Sequence, residues 1–342
     1  MPEKVDLLVV DDSAVMRQAM VAIGRGKRDL SVRVAADPLI AFDRMRESRP
    51  DVILLDIEMP RMDGLTFLRR VMSEDPIPVI VCSALAGNGT EVAIRALEEG
   101  AVDVVAKPSF GVSEFLEHSA VMLLETIRAA ARASKPRVRV QRPLPIPHKP
   151  SRLYVTSRKV IAVGASTGGT EALREILQVL PVSVPGLVIV QHMPEVFTTR
   201  FAQRLDGCCH ISVKEAEHGD RVVNGRALIA PGNKHMTVVR DGAEYRVEVS
   251  DGPLHMRHRP SVDVLFHSVA IAAGPSATGV LMTGMGADGA AGLLEMRRNG
   301  ATTVVQDEET CVVFGMPREA LDLGAADAAL PPKEIAELIR RA

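Results

Sequence analysis

Val160-Ile161-Ala162-Val163-Gly164-Ala165-Ser166-Thr167-Gly168-Gly169 is an apolar β-type run that breaks on a serine flanked by glycines. A helical pattern follows from Glu171 to Leu180. Strand, tight turn and helix form the unit from which a parallel sheet is built. A serine at such a turn has its hydroxyl lifted above the sheet edge, where a helix N-terminus offers N–H groups to a developing oxyanion. The same turn cradles phosphate in nucleotide-binding units. On this stretch alone, nucleophile and phosphate cradle stand equal.

Working outward, strand-like runs recur at Leu187–Gln191, Arg226–Ala230, Thr278–Met282 and Thr302–Val305. His235–Arg240, Asp241-Gly242 and Glu244–Val249 read as a β-hairpin with a tight turn. Toward the N-terminus, five further runs alternate with helical patterns: Leu7–Val10, Val32–Ala35, Val52–Leu55, Val79–Cys82 and Val102–Val105. A last helical pattern runs from Ser113 to about Ala133. Both halves therefore read as α/β, each a doubly wound parallel sheet covered by helices on both faces.

Between Glu125 and Glu171 there is no acidic residue. Within that gap Arg132 to Lys159 carries nine Lys/Arg and five prolines, a composition that repels itself and blocks helix, so it reads as an extended linker. The expected divisions are 1–125, a basic Pro-rich linker over 126–157, and 158–342. A length of 342 residues suits two domains. A formal charge of −2 gives no global drive toward nucleic acid or a membrane surface. No 18-residue apolar run and no leader pattern is visible, so the expectation is a cytoplasmic protein without membrane insertion. Cys82, Cys208, Cys209 and Cys311 have neither CxxC nor framework spacing and read as unpaired thiols.

In the N-terminal half, carboxylates stand at the C-terminal ends of strands: Asp11 and Asp12 after the first, Asp56 after the third. In an open α/β sheet these ends converge on one crevice. Clustered carboxylates need a hard divalent cation, and Mg²⁺ takes one or two of them together with phosphate oxygens. Ser83 ends the fourth run and Lys107 the fifth, adding a hydroxyl and a cation to make a phosphoryl-transfer site. On these residues, residues 4–125 resemble the response-regulator receiver family, with its flavodoxin-like fold. The resemblance implies that Asp56 accepts phosphate. It further implies that Asp12, Asp56 and the backbone carbonyl of Glu58 hold Mg²⁺ with Asp11 in support, and that Ser83 and Lys107 carry the switch. Met59-Pro60 and Asp63-Gly64 fit the family's loop. Val104 stands where the family often has an aromatic switch residue, so the signal is expected to travel through the Ser83 loop.

If Ser166 is a nucleophile, it needs a base and a group to orient that base. His192 follows the second strand of its half, and Asp288 lies in Thr283–Gly289 directly after a strand, so all three fall at carboxyl ends. The order Ser…His…Asp differs from the Ser…Asp…His of α/β-hydrolases. Neither a Tyr-x-x-x-Lys pair nor a GxxxxGK[ST] loop is present, which tips the turn toward nucleophile. Here the whole chain resembles the chemotaxis methylesterase (CheB) family, through Gly164–Gly169, Gln191–Pro194, Ala230–Gly232, Arg259–Asp263, Thr283–Gly289, Gln306-Asp307 and Phe314–Arg318.

That resemblance implies a Rossmann-like catalytic domain and a triad of Ser166, His192 and Asp288. The implied reaction is hydrolysis of glutamate γ-methyl esters, and deamidation of glutamines, on methyl-accepting chemotaxis receptors. A chemotaxis histidine kinase would donate the phosphate, the esterase step would need no cofactor, and the chain would be a monomer. The unphosphorylated receiver is expected to cover the Ser166 crevice. Oxyanion donors are expected among the N–H groups of Thr167, Gly168 and Met285. The competing expectations are a receiver-controlled scaffold and a DNA-binding response regulator.

Overall fold

A computed structural model of the chain describes residues 4–59, 62–83, 89–107, 120–132 and 156–342. It divides into two compact units, Met1–Gln141 and Arg142–Ala342.

The first unit alternates β1 (Val5–Val10), α1 (Ala14–Gly24), β2 (Leu30–Ala35), α2 (Pro38–Glu47), β3 (Val52–Asp56), α3 (Gly64–Glu74), β4 (Val79–Ser83), α4 (Gly89–Glu98) and β5 (Asp103–Ala106), ending on α5 (Ala120–Arg132). The sheet is parallel in the order β2-β1-β3-β4-β5. β3 and β4 are buried along their whole length, as strands with helices on both faces must be. Ser13 caps α1 by accepting from the Met16 N–H, and Asp63 caps α3 by accepting from Thr66.

Residues 126–132, which the sequence assigns to the linker, are the second half of α5. Leu123, Leu124, Ile127 and Ala130 recur at helical spacing and are buried, and that burial outweighs the basic character that follows. Pro60, Pro108, Ser113 and the prolines from Pro136 to Pro150 lie outside the described residues.

The second unit runs β6 (Val160–Ala165), α6 (Gly169–Leu177), β7 (Gly186–Gln191), α7 (Glu195–Cys208), β8 (Ser212–Glu215), β9 (Arg226–Ile229), β10 (His235–Asp241), β11 (Glu244–Ser250), α8 (Val262–Ala273), β12 (Ala277–Leu281), α9 (Ala290–Arg298), β13 (Thr302–Gln306), α10 (Met316–Asp322), β14 (Ala328–Leu330) and α11 (Pro332–Arg341). Seven strands form a parallel sheet in the order β14-β13-β12-β6-β7-β9-β8. The strand order reverses between β12 and β6, and Ser166 leaves the sheet at that switch point.

β10 and β11 form the antiparallel hairpin expected. Its two-residue loop is Gly242-Ala243, with Gly242 at φ +61°, one position later than the sequence suggests. Thr156 pairs with Val223, and the buried Ser157 hydroxyl accepts from the Gly186 N–H at 3.0 Å, so both residues belong to this unit. The four cysteines are free thiols.

Candidate active site

Parallel pairing decides which residues meet at the edge of the second sheet. β6 and β7 run in register with Ala165 opposite Gln191, so Ser166 and His192 leave the sheet side by side. The His192 N–H donates to Ala165 O at 3.0 Å, and the Ser166 N–H donates to Thr283 O at 3.0 Å, extending the ladder past the strand ends. Gly284 makes room for the serine: a β-carbon there would lie 2.7 Å from Ser166 Cβ. Gly168 sits at φ +78° as the N-cap of α6, and a β-carbon there would meet Val312 at 2.5 Å.

Asp288, 2 % exposed, stands before α9. Its Oδ2 lies 2.8 Å from His192 Nε2. It also accepts from Ser261 Oγ at 2.8 Å, Val262 N–H at 2.8 Å and Asp263 N–H at 3.0 Å, the last two from the first turn of α8. Burial pushes its carboxyl up, but the hydrogen bond and charge of His192 and the N–H groups of Asp263 and Val262 outweigh that push. The net result is a carboxyl held well below the ordinary range. Asp288 is therefore a permanent anion, and the imidazole it faces carries its proton on Nε2. His192 Nδ1 is buried and has no hydrogen-bond partner among the described residues. The bond from Ser166 Oγ to this nitrogen is thus not formed, although register sets the two residues side by side.

Sequence reasoning missed most of what holds these groups. Gln191, 1 % exposed, donates from Nε2 to both Ser166 O (2.9 Å) and His192 O (3.1 Å), so one amide ties the two turns together. Thr283 Oγ1 donates to Thr167 O, and Gln306 Oε1 accepts from the Thr283 N–H, both at 3.0 Å. A trans peptide sets C=O and N–H on opposite sides. Anchoring these carbonyls therefore turns the Thr167 N–H away from Gln191 and the Gly168 N–H away from Thr283.

His258 stacks flat on His192, with ring centroids 3.9 Å apart and planes 3° apart. Beside them His255 Nε2 meets Asp263 Oδ2 at 3.2 Å. Gln191, Ser261, Asp263, Thr283 and Gln306 all lie in segments that carry the family resemblance. Nothing in the sequence signals the stack or the buried amides, because each depends on contacts between distant strands.

In the first unit the expected residues converge on the corresponding edge. Asp11 and Asp56 are buried and Asp12 is exposed, and ligand oxygens of all three lie within 4.8 Å of one another. Lys107 Nζ is 2.5 Å from Asp56 Oδ2 and 3.3 Å from Asp11 Oδ2. The Glu58 N–H donates to Asp56 Oδ1 at 3.0 Å, and the Lys107 N–H donates to the carbonyl of buried Ser83 at 2.7 Å. Burial raises the Asp11 carboxyl despite Lys107 and the Ser13 N–H, with Asp56 adding to the rise. For Lys107, burial pulls the ammonium down, but Asp56 and Asp11 together hold it up. Val104 is buried.

A family model described as CheB methylesterase matches residues 161–339, and one described as response regulator receiver domain matches residues 7–118. The chain is 58 % identical over 98 % of its length to a protein of Anaeromyxobacter dehalogenans named protein-glutamate methylesterase/protein-glutamine glutaminase 5, covering 97 % of that protein. It is 53 % identical to a similarly named protein of Geobacter metallireducens, over 99 % of both chains. Among solved structures, the CheB methylesterase catalytic domain of Thermotoga maritima matches 54 % of this chain and 98 % of its own, at 37 % identity and a TM-score of 0.53. These likenesses do not favour the scaffold or DNA-binding readings.

Proposed function

The chain belongs to the CheB methylesterase family, and from that premise we propose that it is a phosphorylation-regulated serine hydrolase. Its reactions are hydrolysis of glutamate γ-methyl esters and deamidation of glutamines on chemotaxis receptors. The observation that carries this reading is the buried His192–Asp288 pair on the strand end next to that of Ser166, with His192 Nδ1 unpartnered among the described residues.

Ser166 Oγ attacks the γ-carbonyl carbon while His192 Nδ1 takes its proton. The tetrahedral intermediate collapses as His192 returns the proton to the leaving oxygen or nitrogen, releasing methanol or ammonia and leaving an acyl-serine. Water, deprotonated by the same nitrogen, hydrolyses that ester and restores the hydroxyl. Asp288 holds the tautomer and stabilises the imidazolium that forms twice per cycle. The ring works in the opposite sense to the serine-protease template, with Nε2 on the carboxylate and Nδ1 toward the serine. The N–H groups of Thr167 and Gly168, turned out by the anchored carbonyls, and that of Met285 are our candidates for the oxyanion.

In the receiver we assign Asp56 as phosphate acceptor. Three clustered carboxylates, of which Asp11 and Asp56 pair with Lys107, carry surplus negative charge among the described residues, a donor set that fits Mg²⁺. Asp11, Asp12, Asp56 and the Glu58 carbonyl would hold the ion, which would neutralise phosphate charge when bound. Lys107 pairs with the acceptor carboxylate, and its backbone tie to Ser83 links the ends of β4 and β5. A histidine kinase is the phosphodonor, methylated receptors are the substrates, and the reaction takes place in the cytoplasm. No helix among the described residues is long and apolar enough to cross a membrane.

The test is release of labelled methanol from methylated receptor by the full chain, before and after phosphorylation, and by a fragment starting near Ser151. Release that depends on Ser166 and rises with phosphorylation supports the reading. A fragment no faster than the unphosphorylated chain rejects inhibition by the receiver.

A further inference from the structure

His192 must do more than face Asp288. A single hydrogen bond at Nε2 fixes one edge of the imidazole but lets the ring tilt about that bond, and tilting swings Nδ1 away from the serine. A face contact removes that freedom. The ring of His258 supplies one, parallel to within 3° at a centroid distance of 3.9 Å.

The segment that carries His258 is held at both ends and bent in the middle. His235, 3 % exposed, uses both ring nitrogens on it: Nε2 donates to Pro253 O at 2.8 Å and Nδ1 accepts from the Ser261 N–H at 3.2 Å. Between these anchors His255 and His258 exchange backbone hydrogen bonds of 3.1 and 2.8 Å. The two residues they enclose, Met256 at φ 46° and Arg257 at φ 67°, are both left-handed. Side chains in that region are strained, and such strain persists only where the surroundings over-determine the backbone. The same segment supplies Ser261 to Asp288. One clamped turn thus grips both the base and its orienting carboxylate.

We propose that His258 is a positioning residue for the hydrolysis: its ring is the plate that keeps His192 aligned with Nδ1 toward Ser166, and its π-face stabilises the imidazolium formed there. This rests on the triad assignment above. The plate helps only while it is uncharged, since a cation stacked on His192 would oppose the charge that develops. Burial, with the neighbouring His192, holds His258 down to about 3. Among the described residues the main charged and titratable groups acting on it are His192, Arg257 and His255, which oppose its protonation, and Asp288, which favours it. At neutral pH the plate is neutral, and an aromatic face attracts a developing cation.

The experiment uses the full chain and methylated receptor, comparing His258→Ala, His258→Phe and wild type in kcat, KM and pH profile, with near-UV circular dichroism for fold. His258→Ala should lower kcat about 10²-fold, the scale of a 1 Å misplacement, with KM within twofold. It should also move the acidic limb of kcat/KM to higher pH, because water reaching the exposed imidazole face favours its charged form. His258→Phe keeps a flat ring and should recover most of kcat and the wild-type limb. His258→Ala within threefold of wild type overturns the inference. So does a folded His258→Phe as impaired as His258→Ala; if the alanine variant does not fold, the phenylalanine variant decides. Wild type that releases no methanol removes the triad reading itself, whereas normal release with an indifferent His258 removes this inference alone.

Discussion

Asp11 and Asp288 invite comparison: each is a buried aspartate in the loop that follows a parallel strand bordering the point where its unit's strand order reverses. Their chemistry diverges. Asp288 receives four hydrogen bonds, from His192, Ser261 and two N–H groups of α8, and its carboxyl is held down. Asp11 shares one lysine with Asp56, accepts from the Ser13 N–H, and its carboxyl is pushed up. The same sheet geometry yields a satisfied anion in one unit and an under-neutralised cluster in the other. The first suits a carboxylate that must stay charged through every turnover. The second suits a crevice that waits for a cation and a phosphate, and that responds when they arrive.

Ser166→Ala is the harshest way to break this comparison. On the proposed mechanism it removes the covalent step, and methanol release should fall by about 10⁶, read as kcat on methylated receptor. Asp288→Asn comes next: it keeps the shape but not the charge, and should cost about 10⁴ in kcat through the wrong tautomer. An Asp288→Asn variant within tenfold of wild type would mean that the permanent anion is not what the site uses.

On the proposed reading, the receiver side answers to metal. Mg²⁺ at a hundred times its dissociation constant should stabilise the first unit by about 2.7 kcal/mol, seen as a rise in its unfolding midpoint that Asp12→Asn abolishes. The second unit's midpoint should not move. A shift shared by both units would dissolve the distinction between them.

The smallest effect lies in the acid limb of stability. Asp288 has a folded-state pKa below its unfolded value, so its contribution is present above about pH 4 and is lost as pH falls through the folded value. Asp11 has a raised pKa, so its burial destabilises the first unit at neutral pH, and that penalty is relieved as pH falls through the raised value. Asp11→Asn should therefore raise the first unit's melting point at pH 7 by a few degrees, on the order of 1 kcal/mol, and the gain should shrink on acidification. Differential scanning calorimetry between pH 3 and pH 7 reads both signs.

Much of this was legible in the sequence because parallel strands buried on both faces are written as apolar runs, and ligands gather where those runs end. Five runs in the first unit and five in the second matched strands. β8 and β14 were not seen: Ser212–Glu215 alternates weakly, and Ala328–Leu330 is three residues of no β character. Both lie at sheet edges, where one neighbour suffices and pattern is weak. The helical pattern ending near Ala133 fits the end of α5 at Arg132, but the linker boundary was drawn inside that helix, because charge placed it where burial of Ile127 and Ala130 should have placed it. Ser166, His192 and Asp288 were legible as strand-end residues. His258 and His235 were not, nor were the bonds of the Gln191 amide, since these follow from packing between segments that sequence spacing does not relate.

The claim that joins the two units is that phosphate on Asp56 controls chemistry at Ser166. It is tested most directly by measuring labelled-methanol release from methylated receptor by the full chain, with and without phosphodonor and Mg²⁺, for wild type and Asp56→Asn. The account predicts that phosphodonor accelerates wild type several-fold or more and leaves Asp56→Asn at its basal rate. Equal stimulation of both, or none of either with Asp56 demonstrably phosphorylated, would contradict it.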